Sequence, residues 1–312
     1  MRHFKIVWLL IFFVVSISAF ANTQKGALVS KKINVALVLG GGGARALAQA
    51  GVIDVLEENH IPIDLIVGSS AGSLIGALYA DDPHGDNLRR KVISLKKWDI
   101  LDFSWYSGLK MLWRVKGPVE GNALRSFVEK NIQAKYFSQL KIPLIVVTTD
   151  VNKGETFPIK KGLLAPALHA SSALPMLFSP VELYGRLLVD GGVASPVPVE
   201  VAKDYSPNVI IAIDIGTTPN NGDVTSTLHL GYRSIHISYN QLANMQTKQA
   251  DIVIHPDIDK YSMFTDANNE LIYRAGREAA LDALPAIKKK MAQGVARQQF
   301  ELKRRKDESN KA

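Results

Sequence analysis

Residues Asn34 to Leu39 (NVALVL) form an unbroken apolar, β-branched run, which predicts a strand buried on both faces. Four glycines follow, Gly40 to Gly43. Beyond them Ala46, Leu47, Ala50, Ile53, Val55 and Leu56 recur at helical spacing, and Glu57, Glu58 and Asn59 close that helix ahead of Pro62. A second strand, Ile63 to Val67, runs into Gly68-Ser69-Ser70-Ala71-Gly72, and a helix is predicted from near Ser70 to about Tyr79. The chain therefore opens βαβα. That order implies an α/β fold: a mainly parallel central sheet with helices on both faces.

The strand signal fades between Asp81 and Ile142, where helical segments alternate with the aromatic-rich stretch WDILDFSWYSGLKMLW. It returns at Leu144 to Thr149, with a hairpin expected around Asn152-Lys153-Gly154. Gly162 to Ser172 reads as helical. Val181 to Leu183 and Leu187 to Val189 flank Tyr184-Gly185-Arg186 and predict a short hairpin. Val209 to Ile213 and Ile252 to Ile254 predict two further strands, and long helical patterns occupy Ser226 to Met245 and Asn269 to Met291. No internal repeat or linker divides the chain, so one α/β domain is expected over residues 22–290.

The two ends read differently. Arg2, His3 and Lys5 precede the apolar run Ile6 to Val15 and the small-x-small site Ala19-Phe20-Ala21. This predicts a signal peptide over residues 1–21, with export to the periplasm or cell envelope of a Gram-negative bacterium. The rival reading is an uncleaved anchor, for which the apolar stretch is short. From Lys288 to Ala312 there are nine Lys/Arg against three Asp/Glu, which accounts for most of the net charge of +8. The basic tail, residues 291–312, suits anionic surfaces in a general way. A solvated terminal helix is the simpler reading, and no nucleic-acid motif accompanies it. With no cysteine in the chain, disulfides and thiolate metal sites are excluded.

Three short segments carry candidate chemistry. The first is the glycine turn, GGGGARA. Gly41-x-Gly43-x-x-Ala46 fits a dinucleotide-binding fingerprint, but the acid expected at the end of the next strand is absent, and Asp64 lies at its start. No Gly-Lys-Ser/Thr follows the glycines either, so a P-loop is ruled out. What remains is a set of backbone N–H groups at a helix start, able to hold a phosphate or a forming oxyanion.

The second segment is G-x-S-x-G, Gly68 to Gly72, placed between a strand and a helix. That context seats Ser70 as a nucleophile on a sharp turn with small neighbours. A serine needs a base. His229 and His236 fall in a helical pattern, where surface or packing roles are expected; His255 ends a strand and is the histidine to test. The third segment, Asp190-Gly191-Gly192, supplies a stronger candidate. An acid followed by two glycines at a strand end reads in two ways: a capping Asp in a tight turn, or a carboxylate left in a crevice, where partial desolvation makes it a better base.

Taken together, GGGGARA, GSSAG and DGG in this order resemble the patatin-like phospholipase family in its bacterial branch. ALHASSALPMLFSPVEL and ADIVIHPDI add to the likeness, which spans about residues 33–290. The resemblance implies a three-layer α/β/α patatin-like fold and a serine lipid acyl hydrolase cleaving fatty-acyl esters. It implies Ser70 as nucleophile, Asp190 as base for the serine and then for water, and the amides of Gly41, Gly42 and Gly43 as the oxyanion hole. Arg45, Gly68, Gly72, Gly191 and Gly192 flank these motifs. No metal and no cofactor is implied, and an acyl-ester lipid is the expected partner. Two positions depart from the family: Ala46 stands where glycine is usual, and Gln49 where many relatives have histidine. Alanine is harmless at 46 if the residue is helical and costly if it needs positive φ.

Trp98, Phe103, Trp105, Tyr106 and Trp113 fall where relatives carry a variable cap. Two readings of them stand side by side: a peripheral membrane contact and a buried cap core. A catalytically inactive lipid-binding or scaffold protein is the alternative to the hydrolase. A nucleotide-binding enzyme is a third reading, and it leaves GSSAG and DGG without a role.

Overall fold

The computed structural model describes residues 33–96, 99–100, 119–217, 227–262 and 265–309, together with the backbone of the helices within those ranges. The expected signal segment, Trp98, Phe103, Trp105, Tyr106 and Trp113, and the side chains of His229 and of the last residues of the tail lie outside this description.

Among the described residues eight strands form one sheet. In chain order they are β1 (Val35–Leu39), β2 (Leu65–Ser69), β3 (Leu144–Asp150), β4 (Glu155–Ile159), β5 (Val181–Leu183), β6 (Arg186–Asp190), β7 (Val209–Ile213) and β8 (Ile252–Ile254). The described helices are α1 (Leu47–Glu58), α2 (Ala71–Asp81), α3 (Gly85–Ile93), α4 (Asn122–Asn131), α5 (Leu164–Ser171), α6 (Val199–Lys203), α7 (Thr227–Thr247) and α8 (Asn269–Ser309). The helical pattern expected to Met291 thus continues through the basic segment to Ser309.

The strand order is β5-β6-β3-β2-β1-β7-β8, with β4 also paired to β3. The pairs β1–β2, β1–β7, β2–β3 and β7–β8 are parallel, and β3–β4, β3–β6 and β5–β6 are antiparallel. The fold is a three-layer α/β arrangement on a mixed, mostly parallel sheet. Every residue of β1, β2, β3 and β7 is buried. Burial of successive side chains, which point to opposite faces, requires a covering layer on each side.

The register at β3 positions the site. Val146 and Val147 pair with β2 on one edge and with β4 on the other. Thr148 to Asp150 also pair with β4, and their second partner is β6. β2 and β6 therefore share one edge of β3 and run toward each other. Ser69, the last residue of β2, pairs with Val147, and Asp190, the last of β6, pairs with Thr148. The two strands end at adjacent steps of the same partner, so the residues that follow β2 meet the end of β6.

Candidate active site

The turn after β2 is tight because its neighbours are small. Ser70 has φ 54° and ψ −130°, a region costly for any residue with a Cβ. Two glycines let the backbones close around it. A Cβ at Gly72 would lie 2.4 Å from the Leu39 carbonyl oxygen, and one at Gly68 would lie 2.5 Å from Ser73 Cα. The turn is pinned by side chains. The Ser70 N–H donates to Ser171 Oγ at 2.9 Å, and that hydroxyl donates to the Val147 carbonyl at 2.6 Å. Ser73 Oγ donates to the Ser70 carbonyl at 2.6 Å.

Across the junction of β2 and β6, the Ser70 hydroxyl donates to Asp190 Oδ2 at 2.5 Å. This is the short distance of an O–H bonded to a carboxylate. Asp190 Oδ1 accepts the Gly192 N–H at 2.7 Å. The capping role and the crevice role are thus filled at once. Thr149 Oγ1 steadies the turn by donating to the Asp190 carbonyl at 2.9 Å and accepting the Ala194 N–H at 3.1 Å. The carboxylate is 3% exposed. Burial pushes its pKa up to about 6, against the two hydrogen bonds from Ser70 and Gly192, which lower it. A carboxylate so placed takes a proton near neutral pH more readily than one in water.

Ser70 and Asp190 line a cavity of about 190 Å³. Its remaining walls are largely apolar, with Leu74, Ile75, Leu124, Leu174, Leu177 and Phe178 among them. Gly42, Gly43 and Arg45 of the glycine loop also line it. Gly43 has φ 58°, which the missing Cβ makes affordable. Gly41 corrects one expectation. Its N–H, expected to face the oxyanion, donates instead to the Pro196 carbonyl at 3.1 Å. Gly40 is held too: its N–H donates to the Ile213 carbonyl and its carbonyl accepts Gln49 Nε2 at 2.6 Å. Gln49, the second departure noted above, therefore anchors the root of the loop. Ala46 is right-handed helical, with φ −60° and ψ −15°, so alanine is harmless there. Arg45 is buried; its Nε donates to the Gly42 carbonyl at 3.4 Å and its Nη1 to Thr217 Oγ1. Gly191 sits where β2 and β6 meet, its backbone against the Val147 carbonyl and Ser69 Oγ.

The histidines sort differently from the sequence expectation. His255 faces Asp214, with Nδ1 3.7 Å from Oδ2, and that pairing with the carboxylate raises its pKa. It is not among the residues lining the cavity around Ser70. His236, expected to be a surface or packing residue, lines that cavity. Burial, then the nearby Arg45 charge, lowers its pKa and favours the neutral ring. Tyr239, one turn further along α7, also lines the cavity, and its hydroxyl donates to the Gly41 carbonyl at 2.6 Å. Ser171, Thr149 and Tyr239 were not singled out from the sequence. Ser171 does lie inside ALHASSALPMLFSPVEL, where paired serines end a helical pattern. Among the described residues no group of three or more His, Asp or Glu is placed to hold a metal ion.

A family model described as patatin-like phospholipase matches residues 37–203, more than half of the chain and all three motifs. The chain belongs to the patatin-like phospholipase family. The mouse patatin-like phospholipase domain-containing protein 6 is 34% identical over 188 residues, covering 59% of this chain and 14% of that protein. The lysophospholipase NTE1 of Scheffersomyces stipitis is 28% identical over 270 residues, 78% of this chain and 17% of the yeast protein. The aligned part is thus under a fifth of these curated relatives' length. Among solved structures, VipD of Legionella pneumophila superposes with a TM-score of 0.53 at 14% identity, over 82% of this chain and 67% of that one, which speaks to the patatin-like fold alone. The patatin match ends before α7, so it does not reach His236 or Tyr239.

Proposed function

We propose that the chain is a serine lipid acyl hydrolase that cleaves fatty-acyl esters through Ser70 and Asp190. The 2.5 Å contact between Ser70 Oγ and Asp190 Oδ2 carries this reading, because it joins a nucleophile directly to a base inside an apolar cavity. The acyl chain lies against the apolar wall and the ester carbonyl faces Ser70. Asp190 takes the hydroxyl proton as Oγ attacks the carbonyl carbon. The negative charge that forms on the carbonyl oxygen is held by the amides of Gly42 and Gly43, whose N–H groups no other backbone group engages among the described residues. The tetrahedral species collapses, the alcohol leaves with the proton from Asp190, and Ser70 carries the acyl group. Water then gives a proton to Asp190 and attacks the acyl-enzyme; Oγ leaves and recovers the proton.

The test uses the purified protein, a fluorophosphonate probe, and a panel of acyl esters and phospholipids beside Ser70→Ala and Asp190→Asn. The expected result is labelling at Ser70 and ester turnover, with turnover lost in both variants. A wild-type protein that is neither labelled nor active on any ester overturns the proposal. Binding of lipid without turnover would favour the scaffold reading.

A further inference from the structure

The glycine loop is held at four points before its first unengaged amide. Gly40 N–H goes to Ile213, Gly40 C=O to Gln49, Gly41 N–H to Pro196, and Gly41 C=O to the Tyr239 hydroxyl. The last of these matters most, because the carbonyl of Gly41 and the N–H of Gly42 belong to one peptide group. In a trans peptide the two point in opposite directions. A hydroxyl fixed on the carbonyl therefore fixes the direction of the amide.

We infer that Tyr239 is a positioning residue that clamps the Gly41–Gly42 peptide so that the Gly42 N–H is preset toward the oxyanion. The inference rests on the hydrolase reading above. Three further observations support it. A Cβ at Gly41 would lie 2.8 Å from the Tyr239 hydroxyl and 2.9 Å from Ser70 Cβ, so the phenol, the loop and the nucleophile are packed without spare room. A Cβ at Gly192 would lie 2.5 Å from Tyr239 Cε2, so the same ring also rests on the turn that carries Asp190. One side chain thus touches both the oxyanion loop and the turn of the base. Burial, then the charges of Asp190 and Asp214, push the phenol's pKa well above its ordinary value, which keeps the hydroxyl protonated and donating.

The experiment compares Tyr239→Phe with wild type on a 4-nitrophenyl fatty-acyl ester and on its thiono analogue, in which C=S replaces C=O. Sulfur accepts hydrogen bonds weakly, so the thionoester draws little from an oxyanion hole. Deleting an oxyanion donor costs about 10²–10³ in kcat, so loosening one predicts a loss of roughly 10- to 100-fold in kcat for the ester. KM stays within about twofold, and thionoester turnover changes several-fold less than ester turnover. Equal losses on both substrates, a loss confined to KM, or an ester kcat within about twofold of wild type overturns the clamp. Thermal melts run in parallel. If Tyr239→Phe does not fold, Tyr239→Gln, which keeps an N–H donor, is set against Tyr239→Leu; the clamp requires the higher ester-to-thionoester ratio in the Gln variant. A wild-type protein inactive on the ester and unlabelled at Ser70 overturns the hydrolase reading itself. An active wild type matched by Tyr239→Phe overturns the clamp alone.

Discussion

Replacing Asp190 by asparagine exchanges a buried carboxylate for a neutral group of the same shape. Asp190 is 3% exposed and its pKa is pushed up to about 6 from an ordinary 3.8. That rise makes the ionised carboxylate about 3 kcal/mol less favourable in the fold than in the unfolded chain. The sign follows from proton counts. Between 3.8 and about 6 the folded state binds more protons than the unfolded state, so wild-type stability rises as pH falls through that window. The cost is complete above pH ~7, about half present at pH ~5, and absent below the unfolded value. Asparagine carries none of it, and its carbonyl can still accept the Gly192 N–H while its amide donates to Ser70 Oγ. Urea unfolding at pH ~8 is expected to show Asp190→Asn more stable than wild type by about 3 kcal/mol, with ester hydrolysis lost. At pH ~4 the gain is expected to fall below about 1 kcal/mol. A stability difference that does not change with pH would refute the reasoning, because only the titration of this carboxylate makes it vary.

On the proposed mechanism the same group sets the acid limb of turnover: kcat/KM for a neutral ester is expected to fall tenfold per pH unit below about 6 and to level off above it, read from a pH–rate profile. At the strained Ser70, with φ 54°, Ser70→Gly is expected to be more stable than Ser70→Ala by roughly 1 kcal/mol in urea melts. Gly72→Ala drives a Cβ to 2.4 Å from a carbonyl of β1, a backbone that cannot step aside. Thermal denaturation is expected to show a loss of roughly 1–3 kcal/mol, with labelling of Ser70 reduced. Away from the motifs, Arg277 bonds Asp54 and Glu58 and so ties α8 to α1; Arg277→Ala leaves the buried Asp54 without that partner and is expected to cost roughly 1–3 kcal/mol by the same melt.

Much of this architecture can be read from the residues themselves. β1, β7 and β8 fall where their apolar runs predict, and the βαβα opening follows from the alternation of runs and turns. β2 is shifted: the sequence predicts Ile63 to Val67, and the strand runs Leu65–Ser69. Gly68 and Ser69 look like turn residues, yet both are buried in the sheet, and the missing Cβ of Gly68 serves the close approach of Gly72 and Ser73 in α2. The short helix Val199–Lys203 carries too little periodic pattern to be seen beforehand. The antiparallel entry of β6 is set by pairing with β3, which no local pattern encodes. Gly41 has the same difficulty at the scale of one amide. Nothing in four consecutive glycines tells which N–H turns to Pro196 and which stays unengaged. Tyr239 and His236 reach the site from α7, and their spacing in that helix reads as ordinary packing.

The head-on meeting of β2 and β6 explains why a direct serine–aspartate contact suits this fold. Two strands that end at adjacent steps of one neighbour bring the first residue after one and the last of the other within a single hydrogen bond, with no room for an imidazole between them. A lone carboxylate in water is a poor base for a hydroxyl, because its pKa lies far below that of the proton it must take. The same junction corrects part of that mismatch. It buries Asp190 among the ends of β2, β3 and β6 and raises its pKa toward neutrality, while Gly192 and Ser70 keep it hydrogen-bonded. The remaining mismatch must be met where charge develops, on the carbonyl oxygen. In the proposed mechanism the dyad therefore leans on its amide donors more heavily than a triad would, and the peptide carrying the Gly42 amide is the one whose carbonyl Tyr239 holds.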